Sequence, residues 1–91
     1  MNERIPDLSA YRGWYAQLWD YSVSHRWLTI RFSSSERAEI YLVARLCRRI
    51  SADSGWVLVD PRIEERGDAL AFVDNGIDIE FEFVHLTQRS Q

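Results

Sequence analysis

Ser33-Ser34-Ser35-Glu36-Arg37-Ala38-Glu39-Ile40-Tyr41-Leu42-Val43-Ala44-Arg45-Leu46-Cys47-Arg48-Arg49-Ile50-Ser51 is the segment on which the fold class turns. Ser33 and Glu36 stand at capping-box spacing, with Ser35 as a competing N-cap. Ile40, Val43, Cys47 and Ile50, flanked by Leu46, recur at helical spacing, while Arg37, Arg45, Arg48 and Arg49 lie off that stripe. The late arginines fall where a helix dipole favours positive charge, and residues 51–55 are of types that end helices. The pattern predicts one main helix over residues 36–51.

Two hairpins flank it. In the first, a turn at Ser24-His25 sets Val23 opposite Arg26, Tyr21 opposite Leu28 and Trp19 opposite Ile30, making one face apolar. The other face then carries Asp20, Ser22, Trp27, Thr29 and Arg31. A one-residue slip mixes the two sets, so burial selects this register. A four-residue loop, Val23 to Arg26, keeps the same pairs, and His25 tolerates positive φ better than most residues. In the second hairpin Asn75-Gly76 is a strong two-residue turn signal. With Asp74 opposite Ile77, Phe72 meets Ile79 and Leu70 meets Phe81, with Phe83 beyond on the same apolar face. The reverse face sets Ala69, Ala71 and Val73 against Asp78, Glu80 and Glu82.

Trp56–Asp60 is a short apolar strand ending at Pro61, of a kind found in sheet interiors. Residues 6–17 fit either a short amphipathic helix, in which Gly13 is unfavourable, or the start of a long strand. The first five residues and 89–91 read as loose ends of a single domain. The expected order is β-β-α-β-β-β: a two-layer α+β fold, with an antiparallel sheet of about five strands covered on one face by helix 36–51.

The chain has 91 residues, 46% hydrophobic and 27% charged, at net charge -3, the proportions of an ordinary folded domain. All 11 basic residues are arginine. Net acidity disfavours the phosphate backbone, so nucleic acid is not an expected partner. The longest apolar runs, 40–44 and 56–59, are too short to cross a bilayer as helices. Cys47 is alone, which excludes an intramolecular disulfide and a thiolate metal cluster. The opening residues lack a signal-peptide pattern, so a reducing, cytoplasmic setting is expected, without metal or cofactor.

Asp20, Ser22, Ser24 and His25 bring acid, hydroxyl and imidazole within six positions. Side chains at 20 and 22 stand about 6–7 Å apart on a strand face, however, and a catalytic base must reach both partners. A small enzyme with His25 as base and Asp20 orienting it is therefore the alternative, and local hydrogen bonding in a turn the plainer account. His85 continues the alternation of Phe81 and Phe83 towards the end of the core face. Asp78, Glu80 and Glu82 form a carboxylate row: either an acidic surface offered to a basic partner, as in an immunity-type inhibitor, or a solvated face neutralised by Arg31 or Arg62. Trp14, Trp19, Tyr21, Trp56 and Cys47 pattern as core. Trp27 does not. It projects to the wet face beside Arg31, either as a pairing typical of protein–protein hot spots or as a surface over which residues 6–17 fold.

The first hairpin, Trp19-x-Tyr21-x-Val23-Ser24-His25-x-x-Leu28-x-Ile30-Arg31, resembles the opening of small bacterial proteins of unknown function. The resemblance implies a small stand-alone bacterial domain and carries over no activity, cofactor or catalytic residue. With no convergent catalytic set, the sequence favours a non-enzymatic module. It would dock the polar sheet face around Trp27, Arg31, Asp78, Glu80 and Glu82, or an open strand edge, on another chain that includes a second copy of itself.

Overall fold

Residues 5–36 and 38–88 are described by a computed structural model, in which the decisive segment is extended: Glu39–Arg45 forms one strand and Arg49–Ser51 another. The predicted helix 36–51 is thus absent, and the fold is two antiparallel sheets, not α+β. The physical reason is a period of two. Leu42 and Ala44 are fully buried on the inner face with Ile40 packed beside them, while Tyr41, Val43 and Arg45 point outward. The serine run caps a turn instead of a helix: the Ser34 hydroxyl accepts the Glu36 and Ala38 amides at 3.3 Å. Arg37 of the supposed helix flank lies outside the described residues.

The strands are β1 (Tyr15–Ser22), β2 (Trp27–Ser33), β3 (Glu39–Arg45), β4 (Arg49–Ser51), β5 (Gly55–Val57), β6 (Arg62–Arg66), β7 (Ala69–Asp74), β8 (Ile77–Phe81) and β9 (Phe83–Thr87). One sheet has the order β5-β1-β2-β3-β9 and the other β4-β8-β7-β6. Two corners join them. The chain passes from β3 to β4 through Leu46, held at φ 58°, and from β8 to β9 through Glu82. Backbone bonds from Glu82 N to Arg45 O and from Arg48 N to Glu80 O carry the pairing around the bend. Phe32 of the first sheet and Phe72 of the second meet across the core at 6.1 Å.

The corner at Glu82 reverses the inside–outside parity. Phe81 is fully buried, but Phe83 is 53% exposed and His85 is exposed on the outer face; Val84 and Leu86 turn inward. Phe83 and His85 therefore do not extend the core face as expected. The first hairpin pairs Tyr21 with Leu28 as expected, with a four-residue loop after Ser22. A bulge at Trp19 then sets Leu18, not Trp19, opposite Ile30. Trp19 is thereby turned out of the core, at 46% exposure, and Tyr21 too is exposed. In the loop Arg26, not His25, takes the positive φ, at 54°.

The second hairpin has the expected register, Asp74 to Ile77, Phe72 to Ile79 and Leu70 to Phe81. Gly76 takes φ 88° while Asn75 stays negative, as in a type II turn. Its reverse face is not wet: Ala69, Ala71 and Val73 are buried in rows flanked by Arg62, Glu64, Glu80 and Arg49. The strand at 56–60 proves to be β5, at a sheet edge and not in the interior. Residues 9–11 form a 3-10 turn, and Leu8 before it is buried against the core. Among the described residues no helix is long and apolar enough to cross a membrane.

Candidate functional site

Cross-strand pairing reads out the outer face of the five-stranded sheet row by row. One row runs Val57, Tyr15, Ser33, Glu39; the next Gln17, Arg31, Tyr41, Thr87; the next Asp20, Thr29, Val43, His85; the last has Trp27 beside Ser22, and Arg45 beside Phe83. Five sizeable apolar side chains on this face are exposed: Tyr15, Trp19, Trp27, Val57 and Phe83.

Two stacks organise it. The Arg31 guanidinium lies 4.7 Å from the Trp19 ring centroid, and that ring meets Tyr41 edge-on at 6.4 Å. Arg45 lies 4.5 Å from the Trp27 ring, whose other neighbour is His25 at 5.8 Å. Each stack contributes about 0.5–1 kcal/mol at such exposed positions. Arg31 is pinned further by an ion pair to Glu39, and its Nε–H is buried with no hydrogen-bond partner. Arg45 forms no ion pair among the described residues.

Of the residues singled out from sequence, Trp27 and Arg31 share this face but sit in different stacks: Arg31 covers Trp19, not Trp27. Asp78 and Glu80 belong to the other sheet, and Glu82 to the corner between the two. Asp78 and Glu82 are paired locally, by Arg66 and Arg49 and by Arg48 respectively, and not by Arg31 or Arg62. Arg66 binds both carboxylate oxygens of Asp78, at 3.0 and 2.8 Å, and Arg49 adds a third contact at 2.9 Å. Hydrogen bonding from Arg66 holds the Asp78 carboxyl below its usual range. Arg48 reaches Glu82 at 3.1 Å, and Glu80 lies between on β8.

The His25 cluster is real but small. Its Nδ1 lies 3.0 Å from the Ser24 hydroxyl and 3.4 Å from that of Ser22, on an exposed loop. No hydrogen bond joins His25 to Asp20, which sits in the Thr29 row. The acid that the enzyme reading requires is thus not in place. Among the described residues no three His, Cys, Asp or Glu side chains converge as a metal-binding group. Cys47 is buried, and loss of hydration pushes its thiol up to about 11, the opposite of what a nucleophile needs.

Sequence reasoning missed Trp19, Tyr41, Arg45 and Phe83 on this face. For Tyr41 and Arg45 the signal that could have found them is the alternation of Ile40, Leu42 and Ala44 with Tyr41, Val43 and Arg45; Trp19 and Phe83 carry none. Comparison with protein-family models, curated proteins and solved structures finds no match.

Proposed function

We propose that the protein is a non-enzymatic interaction module that docks another protein chain on the outer face of its five-stranded sheet. The observation that carries this reading is the pair of exposed tryptophans, Trp19 and Trp27, each held by an arginine on one sheet face. Pre-ordered aromatic rings lose little conformational freedom on binding, and Trp and Arg are enriched among residues that dominate interface energy. The face balances Arg31 and Arg45 against Glu39 and Asp20. That balance suits a protein partner better than a polyphosphate, which requires net positive charge. A cytoplasmic setting belongs to the same proposal, and the single, buried thiol of Cys47 supports it.

Trp27→Ala tests the reading. Trp27 is already 40% exposed, so its loss costs the fold about 1–2 kcal/mol. A hot-spot truncation costs binding 2 kcal/mol or more, about 30-fold in affinity. Pull-down followed by calorimetry on the captured chain should show that loss for Trp27→Ala and for Trp19→Ala, and none for Arg49→Ala on the opposite sheet. Equal capture by all three variants refutes the proposal, as does a Trp27→Ala chain that no longer folds.

A further inference from the structure

We infer that β9 pairs antiparallel with β9 of a second copy, joining two five-stranded sheets into one. This deepens the docking proposal, resting on the same exposed face and naming a partner for its edge. An edge strand presents unpaired backbone N–H and C=O groups, and proteins normally protect long edges with charge, proline or brevity. Three of the four edges here are protected in that way. β6 is Arg62-Ile63-Glu64-Glu65-Arg66, with charge at four of five positions, while β4 and β5 have three residues each. Among the described residues β9 alone has neither device: Phe83-Val84-His85-Leu86-Thr87 is five residues long, with no Asp, Glu, Lys, Arg or Pro. It bonds β3 on one side and ends the sheet order on the other.

The strand is also complementary to itself. Antiparallel pairing about His85 sets Val84 opposite Leu86 of the second copy and Phe83 opposite its Thr87. Val84 and Leu86 already face inward, in rows with Ala44 and Leu42. The second copy therefore prolongs two apolar rows without a register conflict. On the outer side Phe83, beside Arg45 and Trp27, is carried to the seam, so the two aromatic faces become one continuous surface.

The two-fold register places His85 opposite His85, which gives a specific test. Light scattering on the wild-type chain at about 100 µM, where a dimer of micromolar affinity is populated, should give twice the chain mass of 10.8 kDa. His85→Lys and His85→Glu each set like charges directly opposite. Each should weaken the dimer by up to about fivefold, read in a dilution series, while leaving unchanged the melting curve taken at low concentration where the chain is monomeric, because His85 is exposed. Mixing the two variants should restore the dimer, as Lys meets Glu. A monomeric wild type overturns the inference, and so do single variants that dimerise as well as the wild type. If instead Trp27→Ala abolishes a dimer that His85→Lys and His85→Glu retain, the β9 pairing is wrong and the face reading stands.

Discussion

Asp74 ties the link between β5 and β6 to the end of β7, and removing it should open the structure there. It ends β7 on the inner face, 1% exposed, and accepts hydrogen bonds from the link between β5 and β6. The Val59 amide reaches both carboxylate oxygens, at 3.2 and 3.1 Å; the Asp60 amide lies at 2.6 Å and Trp56 Nε1 at 3.2 Å. Asp74→Ala strands three donors at once. A donor left unsatisfied costs about 1–3 kcal/mol, more when its partner was charged. Val59 and Asp60 are themselves more than half exposed, so water replaces part of what they lose. The low end then applies, about 1 kcal/mol each and about 3 kcal/mol in total. For a domain of this size that lowers Tm by roughly 12–24 °C. Asp74→Asn, which keeps one acceptor oxygen, should lose about half as much. Calorimetry gives the stability, and amide exchange at Val59 and Asp60 locates it: both amides should exchange faster in either variant. A Tm within about 4 °C of wild type for Asp74→Ala would show that the carboxylate does not hold the sheets together.

Two further outcomes follow from single side chains. Asp78 has its carboxyl held below the ordinary 3.8, chiefly by hydrogen bonding from Arg66. A carboxylate depressed in the folded state adds stability above its unfolded pKa and loses it as pH falls through the folded one. Urea titrations should therefore show the wild type losing about 1 kcal/mol or less below about pH 4, with Asp78→Asn flattening that limb; a variant with the wild-type acid limb would assign the loss to other groups. Arg26 sits in the left-handed region at φ 54°, unfavourable for a residue with a Cβ. Arg26→Gly should raise stability by about 0.5–1 kcal/mol, relief of strain exceeding the added chain entropy, and a lower Tm would contradict this.

The hairpin at Asn75-Gly76 was legible because its inner face is apolar up to Asp74 beside the turn and its turn chemistry is local. The segment 39–51 was not, for two physical reasons. Tyr41 is only 5% exposed although it faces outward, under the edge of Trp19. A strand nearly buried on both faces reads as an apolar run, which periodicity cannot separate from a helix. The corner at Leu46–Arg48 then shifts the phase, so that Val43, Cys47 and Ile50 fall at helical spacing while lying on different surfaces. Parity failed for the same kind of reason at Trp19, where a bulge inserts one residue, and at Glu82, where the chain changes sheets. Each break depends on pairing distant in sequence. The aromatic face was half visible for that reason: Trp27 and Arg31 lie on a regular strand, whereas Trp19, Arg45 and Phe83 lie at the irregularities.

The two outer faces use arginine differently, and the difference bears on the docking proposed above: Arg31 combines a ring contact with its ion pair to Glu39, whereas Arg45 has a ring contact alone. On the four-stranded sheet Arg48, Arg49, Arg62 and Arg66 are all engaged with carboxylates. Exposed pairs of this kind contribute about 0–1 kcal/mol each to stability. Arg62 and Arg66 pair in register with the buried Val73 and Ala69, and the ion pairs leave few free donors on this face. On the five-stranded sheet Arg31 and Arg45 lie against indole rings, and Arg45 has no carboxylate among the described residues. A guanidinium held over an indole ring keeps its five N–H donors available beside that apolar surface. Beside Trp27, the Arg45 donors therefore border an apolar surface, where a partner's carboxylate or carbonyl would be drawn in with little reorganisation. The ion-paired face spends its guanidinium donors on its own carboxylates; on the stacked face the exposed Arg45 leaves its donors to water, which a docking chain would replace.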